Sequence, residues 1–175
     1  MKKIFFDSDN NMEILSMLEN IKTYDVFLFE YLDTVQRLSG VLIIVDDKLL
    51  MVKARKFKEE SEKWSIPKGK IDKMSSSPDN ALKELEEETG IKLPKNALDN
   101  AEKTKVYYKK SGKIKELVTF IVRLKKEDLN VDMNKKWEVS KKYFDTDEVY
   151  KAKFFSKKKA IKKIETGQMS LLKFM

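Results

Sequence analysis

Three glutamates near the middle of the chain are spaced so that a helix would gather them on one face. Glu84, Glu87 and Glu88 occupy relative positions i, i+3 and i+4, so their carboxylates share a sector of about 100°. Like charges in this arrangement destabilise a helix unless a cation lies among them. A divalent cation such as Mg²⁺, held by carboxylates, water and substrate phosphates, would supply that charge. A solvated acidic helix face is the alternative interpretation.

The composition removes most other catalytic chemistry. The chain of 175 residues contains no cysteine and no histidine. It therefore has no disulfide, no thiol nucleophile, no Cys/His zinc site and no Ser/His/Asp triad. Any enzymatic step must use carboxylates, lysines, hydroxyls or a metal that carboxylates hold.

The charge is distributed unevenly along the chain. The net charge is +8, with −3 over residues 1–103 and +11 over residues 104–175. This favours an anionic partner at the second part, although a lysine-rich solvated surface is the alternative. No apolar run reaches the roughly 18 residues of a membrane span. We expect no membrane partner and a cytoplasmic location.

The elements that must position the glutamates can be read from turn and cap signals. Ser77, Pro78 and Asp79 suit the beginning of a helix and Gly90 suits its end. Two hairpins are predicted, each with its turn between two apolar segments: 41–45 with 49–52, and 105–109 with 114–124. Trp64 to Ile66 is predicted to be extended, and a last helix is expected at about 156–166. The segment from Asp145 to Glu148 suits either a helix start or a loop.

The pattern around the glutamates resembles the box of the Nudix hydrolase family. Gly69, Glu84, Leu85, Glu87, Glu88, Gly90 and Ile91 match seven of its nine fixed positions over 23 residues. The resemblance implies an α/β fold, namely a Nudix-type α/β/α sandwich with a mixed β-sheet and a loop-helix-loop box. We assign residues 39–175 to this domain and residues 1–38 to a helical N-terminal extension.

Two positions depart from the family pattern. Ser75 stands where the family has its first glutamate, and Lys83 stands where it has arginine. In the family these two residues form an ion pair that braces the loop against the helix. We expect Asp79, one turn before Lys83, to pair with it instead.

The resemblance also implies a reaction. Glu84, Glu87 and Glu88, with the backbone carbonyl of Lys68, would hold Mg²⁺ or Mn²⁺ against a diphosphate, and substitution at phosphorus would split a phosphoanhydride. The base must be a glutamate or a metal-bound hydroxide because the chain has no histidine. Glu138 is the later candidate, because the stretch from 135 to 148 resembles the family's acidic residue before an aromatic pair.

The residues before the box bear on the substrate. The run from Trp64 to Asp72 resembles the Pro-Lys-Gly branch of the family, which includes hydrolases of dinucleoside polyphosphates, diphosphoinositol polyphosphates and capped mRNA. Lys68 and Lys70 are candidate phosphate-binding residues. Further substrate-binding candidates are Lys53, Arg55 and Trp64, the last by stacking on a base or, alternatively, as a core residue.

The predicted partner is a nucleotide or polyphosphate substrate. Dinucleoside polyphosphates rank first, an RNA 5′ end second and diphosphoinositol polyphosphates third. A Nudix module that binds a nucleotide or RNA without cleaving it is the alternative of another class. None of the three box glutamates is lost, which favours the enzyme.

Overall fold

The computed structural model describes residues 35–55, 63–72 and 74–175. The chain divides into two units, Met1–Val35 and Gln36–Met175, and the fold below is that of the second unit. The helices predicted for the N-terminal extension fall within residues 1–34, which are not among the described residues. Residues 35–38, which we had included in that extension, belong to the first strand.

Six strands form one mixed sheet, with helices and 3₁₀ segments around it. The strands are β1 (Val35–Val45), β2 (Lys48–Ala54), β3 (Lys68–Lys70), β4 (Glu102–Lys110), β5 (Lys113–Leu124) and β6 (Val149–Ser156). The helices are α1 (Ser77–Thr89) and α2 (Lys157–Lys163), and 3₁₀ segments lie at Lys126–Asp128, Lys141–Tyr143 and Thr166–Phe174. The strand order is β4-β5-β1-β2-β6, and β3 pairs with β1 beside this path.

Both predicted hairpins form, and their turns use the residues that tolerate positive φ. Asp46 and Asp47 (φ 45° and 58°) join β1 to β2, and Ser111 and Gly112 (φ 52° and 77°) join β4 to β5. Successive positive φ values give a turn whose twist matches that of the flanking strands. The strands are longer than the apolar segments that predicted them, because lysines at their ends continue the ladder.

Two apolar cores lie on opposite faces of the sheet. On one face, Ala81 and Leu85 of α1 pack with alternate residues of β1, such as Ile43. On the other face, Ala160 of α2 packs with Leu42 from the intervening positions of β1. Because successive strand residues point to opposite faces, one strand contributes to both cores. The predicted α/β/α sandwich is confirmed.

The helix that carries the glutamates begins and ends close to where its caps predict. The N-cap is Ser76, one residue before the predicted Ser77, and its Oγ accepts a hydrogen bond from the backbone N–H of Asp79 at 3.2 Å. Gly90 ends α1 in the left-handed conformation (φ 74°), as expected. A Cβ at Gly90 would lie 2.4 Å from the Cβ of Tyr143. Only glycine therefore lets the 141–148 segment pack against this helix end.

The C-terminal part differs most from the prediction. No helix begins at Asp145, where the chain makes a turn instead, as the loop alternative allowed. β6 follows that turn and was not predicted, although Lys151 and Lys153 alternate with Ala152 and Phe154 as in a half-buried strand. The last helix is shorter than expected and ends at Lys163, before a 3₁₀ segment. Among the described residues, no helix is both long and apolar enough for a membrane span.

Candidate active site

The contact between β3 and α1 is the basis of the candidate site. Gly69 lies so close to α1 that a Cβ added to it would stand 1.8 Å from Oε1 of Glu84. A side chain at this position would displace the carboxylate, so the first glycine of the box is required by close approach. The loop and the helix of the box therefore meet at Glu84.

Glu88 is held by the same loop. Its Oε2 accepts a hydrogen bond from the backbone N–H of Lys68 at 2.8 Å. Lys68 and Gly69 are consecutive residues of β3, so the two glutamates lie against one short stretch of backbone. The backbone carbonyl of Lys68, which is the fourth of the predicted metal ligands, belongs to the same short stretch.

The carboxylates of Glu84 and Glu88 lack sufficient positive charge around them. Burial, and after it the nearby charge of Glu87, raise the pKa of Glu84 from 4.5 to about 6. Burial also raises the pKa of Glu88 to about 7, and the Lys68 ammonium and backbone N–H only partly offset this rise. Glu148 raises the pKa of both groups through its charge. A bound cation would reverse these shifts.

Lys83 is paired differently from the prediction. Its Nζ lies 3.8 Å from Oδ2 of Asp72 and 3.9 Å from Oε1 of Glu87. Among the described residues it forms no ion pair with Asp79, whose carboxylate instead accepts a hydrogen bond from Ser76 Oγ at 2.5 Å. Asp72 lies on the loop and Lys83 on the helix, so this pair spans the same gap as the family's brace.

The donor set fits a hard divalent cation. Within the described ranges, no three acidic side chains converge into a preformed metal cluster; Glu87 lies beside Lys83, and Glu88 is bonded to Lys68. Mg²⁺ commonly takes one or two carboxylates and completes its shell with water and substrate phosphates. Glu84 and Glu88, half-buried and with raised pKa values, and the exposed Glu87 beside them offer oxygen ligands of this kind. Glu84, Glu87, Glu88 and the Lys68 carbonyl are therefore the residues that would hold the ion.

A cleft of about 760 Å³ opens beside these glutamates. We call it the carboxylate cleft; its lining residues are Lys83, Glu84, Glu86, Glu87, Lys142, Tyr143, Phe144, Asp145 and Glu148. The backbone N–H of Asp145 donates to the carbonyl of Glu87 at 3.3 Å, which ties the 141–148 segment to α1. Helix and segment together form the walls of the cleft.

Glu148 is the acidic residue that the structure adds to this site. It is exposed at the start of β6, and its carbonyl accepts a hydrogen bond from the Arg55 backbone N–H at 2.8 Å. Pairing of β2 with β6 shifts register between Lys53 and Ala54, which leaves Tyr150 as an extra residue on β6. Such bulges re-aim neighbouring side chains and are common beside active sites. The Asp-Thr-Asp-Glu turn was the only sequence signal for this residue.

The structure does not bring Glu138 to the box glutamates. It forms a bridge with Lys153, five residues along β6 from Glu148, which corresponds to roughly 16 Å of strand. Its Oε1 lies 3.9 Å from Nζ of Lys151. Glu138 lines a different cleft, with Asp132 and Lys141. The role predicted for Glu138 stays a prediction, and its position outside the carboxylate cleft does not favour it.

Three of the predicted substrate-binding residues make contacts within the fold. Trp64 is buried in the second core, with its ring 4.8 Å from that of Phe155, so it has no exposed face for stacking on a base. Nη1 of Arg55 donates to the Thr146 carbonyl at 2.5 Å and lies 3.7 Å from Asp147. Arg55 therefore holds the turn before Glu148. Lys53 is buried on β2, 5.7 Å from the Tyr150 ring.

Lys68 and Lys70 line a second cleft on the other side of Gly69. Their side chains alternate with Gly69 along β3, and the charge of the Lys68 ammonium lowers the pKa of both Glu84 and Glu88. Nζ of Lys68 donates to Ser65 Oγ at 3.1 Å. The two lysines therefore lie beside the box glutamates without lining the carboxylate cleft itself.

The fold and the box together define the class of protein. A family model described as NUDIX domain matches residues 35–168, so the chain belongs to the Nudix family. It is a Nudix hydrolase, a pyrophosphohydrolase that acts on acid anhydrides. Members of this family generally use divalent metals such as Mg²⁺.

Solved structures share this fold at low sequence identity. A MutT NUDIX hydrolase from Burkholderia pseudomallei is 18% identical, over 79% of this chain and 96% of that one, with a TM-score of 0.60. An Ap4A hydrolase from C. elegans, in a binary complex, is 19% identical over 79% and 93%, with a TM-score of 0.56. A NUDIX hydrolase from Nitrosomonas europaea is 19% identical over 79% and 86%, with a TM-score of 0.58. Among curated protein sequences the chain has no significant match.

Proposed function

We propose that this Nudix hydrolase cleaves a phosphoanhydride bond of a dinucleoside polyphosphate in the presence of Mg²⁺ or Mn²⁺. The observation that carries the proposal is the pair Glu84 and Glu88, partly buried against Gly69 and Lys68 with too little positive charge around them. Such a pair is costly in a folded protein unless a cation and a substrate use it.

The roles of the residues follow from their positions. Glu84, Glu87, Glu88 and the Lys68 carbonyl would hold the metal ion. When bound, such an ion neutralises phosphate oxygens and lowers the pKa of a coordinated water. Lys83, 3.9 Å from Glu87 and 3.8 Å from Asp72, would keep the loop and the helix in register while substrate binds.

Hydrolysis needs one proton acceptor near the attacking water. The water oxygen forms a bond to one phosphorus as the bridging P–O bond breaks, and each product leaves with a terminal phosphate. Glu148 lies in the carboxylate cleft with Glu84 and Glu87, and we assign it to accept the proton of the water. This role replaces the one predicted for Glu138, which lines another cleft.

The choice of substrate is supported by the residues before the box. Pro67, Lys68 and Gly69 resemble the branch that includes dinucleoside polyphosphate hydrolases, and two of these residues contact the metal-binding glutamates. The similar fold of the C. elegans Ap4A hydrolase is consistent with this choice. The substrate would bring several phosphates to a region rich in lysine.

An RNA 5′ end, capped or triphosphorylated, is the second candidate. The observation that favours it is the net charge of +11 over residues 104–175. A basic surface of this kind attracts a nucleic-acid backbone.

A substrate panel tests the proposal. We expect Mg²⁺-dependent cleavage of diadenosine tetraphosphate in preference to capped RNA, triphosphorylated RNA and a diphosphoinositol polyphosphate. Glu88→Gln should lower kcat by about 100-fold or more, since it removes a carboxylate ligand of the metal ion that neutralises the reacting phosphates. The control is Glu127→Gln, at an exposed position outside the carboxylate cleft, where Glu127 lies 4.0 Å from Lys125.

Three outcomes would contradict the proposal. If Glu88→Gln cleaved the substrate as fast as the wild type, Glu88 would have no part in the reaction. Cleavage of an RNA substrate alone would replace the dinucleoside polyphosphate by the second candidate. Binding of diadenosine tetraphosphate without turnover of any panel member would favour a binding module.

A further inference from the structure

A further cleft lies at the N-terminal end of α1. Its volume is about 760 Å³. Leu98, Val118 and Phe120 line it, and all three are buried residues of the first core, on the face of the sheet that α1 covers. A cleft of this size that combines apolar side chains with a few polar groups is typical of a small-molecule site. We call it the apolar cleft.

The apolar and the basic residues of this cleft come from neighbouring strands. Val118 and Phe120 of β5 pair with Lys105 and Lys103 of β4, and directly paired residues share a face of the sheet. Arg37 also lines the cleft and lies on β1, at the other side of β5. Cationic side chains therefore flank the apolar residues of β5 on both sides.

The charges around the apolar cleft leave a small positive excess. Arg37 and Lys105 share one carboxylate, that of Glu116, at 3.8 and 3.6 Å. Lys103 is exposed and forms no ion pair with any residue in the described ranges. Asp99 is the acidic residue of the lining. Three cationic groups and two carboxylates leave one positive charge, which matches a ligand with a single negative charge.

A hydroxyl at the beginning of α1 adds a polar group to the lining. Oγ of Ser77, a lining residue, is buried and forms no hydrogen bond within the part of the chain that the structure describes. Buried hydroxyls in proteins are as a rule hydrogen-bonded. A serine hydroxyl also changes direction by rotation about one bond, so a polar atom of a ligand in the cleft would give Oγ a partner.

The apolar cleft is separate from the carboxylate cleft. The two clefts have no lining residue in common. Ser77 is the first residue of α1 and Glu84 follows seven positions later, which corresponds to about 10 Å along the helix axis. A ligand of the apolar cleft would therefore contact the helix that carries the box glutamates without competing for their metal site.

We infer that the apolar cleft binds a small organic anion. Its apolar body would lie against Val118 and Phe120, and its single carboxylate, sulfonate or phosphate group would lie near Lys103. The inference does not rest on the proposed function, because it uses none of the residues that would hold the metal ion. It assigns binding to this cleft and no chemical step.

A small anion fits this face of the sheet better than a nucleic-acid strand does. Sites for single strands combine a basic groove with successive aromatic platforms for the bases. Phe120 is buried, and Tyr107, which is 55% exposed, lies outside the lining of the cleft. The hydroxyl of Tyr107 donates to Glu116 at 3.1 Å, so a carboxylate also interrupts the row of positive charges that a phosphate backbone would follow.

Anilinonaphthalene sulfonate is the probe for this site, because it joins an aromatic body to one sulfonate. Its affinity for the full chain can be measured by calorimetry in EDTA at physiological ionic strength. We expect Lys103→Gln/Lys105→Gln to weaken binding by about fivefold, the combined effect of two exposed ion pairs. The matched control, Lys158→Gln/Lys159→Gln, removes equal charge from exposed positions of α2 on the other face of the sheet. Screening should keep its effect below about twofold.

A second pair of variants tests the apolar part of the site. Ala101 is partly buried and lines the cleft, so the larger side chain of Ala101→Phe should occupy the space of the probe and weaken binding by about tenfold or more. Ala97→Phe is the control, because Ala97 is also partly buried but lies outside the lining. Inorganic sulfate, which has no apolar body, should bind at least about tenfold more weakly than the probe.

The outcomes separate this inference from the proposed function. Equal losses in both lysine variants would overturn it, because net charge alone would then explain binding. Displacement of the probe by diadenosine tetraphosphate would also overturn it, since the probe would then lie at the active site. Tighter binding of single-stranded RNA than of the probe, with the same lysine dependence, would overturn it in favour of nucleic acid.

The site can be supported even where catalysis fails. If Glu88→Gln binds the probe as the wild type does, with the same dependence on Lys103 and Lys105, the apolar cleft is a site of its own whether or not diadenosine tetraphosphate is cleaved. Circular dichroism spectra that match the wild type would show that each variant folds. If Ala101→Phe did not fold, the two lysine variants, which change exposed positions, would decide the outcome.

Discussion

The carboxylate cleft and a second cleft lie on either side of Gly69 and differ in the charge of the side chains that line them. The first contains Glu84, Glu87 and Glu148, and the second is lined by five lysines. One of these lysines, Lys110, is paired with the buried Glu165, whereas burial disfavours the charged forms of Glu84 and Glu88. Like charges therefore point to a missing ligand only where burial leaves them uncompensated, which is the case for the glutamates.

The clefts also differ in how the sequence encodes them. The box glutamates lie within five residues of one another on a helix, so their spacing alone predicts a shared face. The lysines come from three strands, and only the pairing of β4 with β5 and of β3 with β1 brings them together. A local pattern therefore identified the first cleft, whereas the second required the fold.

The largest expected effect separates two candidate bases. Glu148→Gln should lower kcat by about 10²- to 10⁴-fold, the range typical of a lost general base, because Glu148 lies in the carboxylate cleft. Glu138→Gln should change kcat by less than twofold. Steady-state kinetics with diadenosine tetraphosphate and Mg²⁺ would show the difference. Equal losses in both variants, or a larger loss for Glu138→Gln, would contradict the assignment.

The residue between the clefts gives the second prediction. In Gly69→Ala the new Cβ would collide with the Glu84 carboxylate, and a displacement of about 1 Å at a catalytic group costs roughly 100-fold in rate. Gly112→Ala is the control, because its Cβ would meet nothing within 4 Å. The control should lose stability, since Gly112 has φ 77°, yet retain kcat. Full activity of Gly69→Ala would show that the close approach is dispensable.

The smallest effect concerns the metal-free protein and pH. Glu84 and Glu88 keep their protons to about pH 6 and 7 when folded, against 4.5 when exposed. The folded state therefore binds more protons than the unfolded chain in this interval, so its stability should fall as pH rises from about 4.5 to 7. Thermal unfolding in EDTA would measure this decline.

Two variants and added Mg²⁺ show whether Glu84 and Glu88 cause the decline of stability with pH. Glu88→Gln should flatten the decline, while Glu127→Gln, at an exposed position far along the chain, should leave it unchanged. Added Mg²⁺ should raise the melting temperature more at pH 7.5 than at pH 5, since it binds the ionised carboxylates. A stability that rises with pH through this interval in wild type and Glu88→Gln alike would contradict the burial of these groups.

Sequence reasoning reached most of the fold but not all of the site. The caps of α1, both hairpin turns and the extended run at Trp64 were read from residue types with specific backbone preferences. β6 was missed although Lys151 and Lys153 alternate with apolar residues as in a half-buried strand, and Glu148 was missed with it. The position of Glu148 depends on the bulge at Tyr150 and on the contacts of Arg55, and both arise from tertiary structure.

The departures from the family box were also only partly interpretable. The loss of the loop glutamate at Ser75 and of arginine at Lys83 suggested a new partner for the lysine, and we predicted Asp79. The structure gives Asp72, because Asp79 is engaged with Ser76 at the helix N-terminus. Asp79 could either hydrogen-bond at the N-terminus of α1 or pair with Lys83, and the sequence alone does not show which of the two interactions is favoured.

The central claim, that the box carboxylates hold the metal ion for cleavage of a phosphoanhydride, is tested most directly by a Mg²⁺ titration. The rate of diadenosine tetraphosphate cleavage would be measured against Mg²⁺ concentration for the wild type, for Glu84→Gln and for the control Glu127→Gln. We predict that Glu84→Gln raises the Mg²⁺ concentration needed for the half-maximal rate, because it removes a carboxylate ligand, and that Glu127→Gln leaves it unchanged. The same Mg²⁺ dependence in Glu84→Gln and in the wild type would contradict the claim.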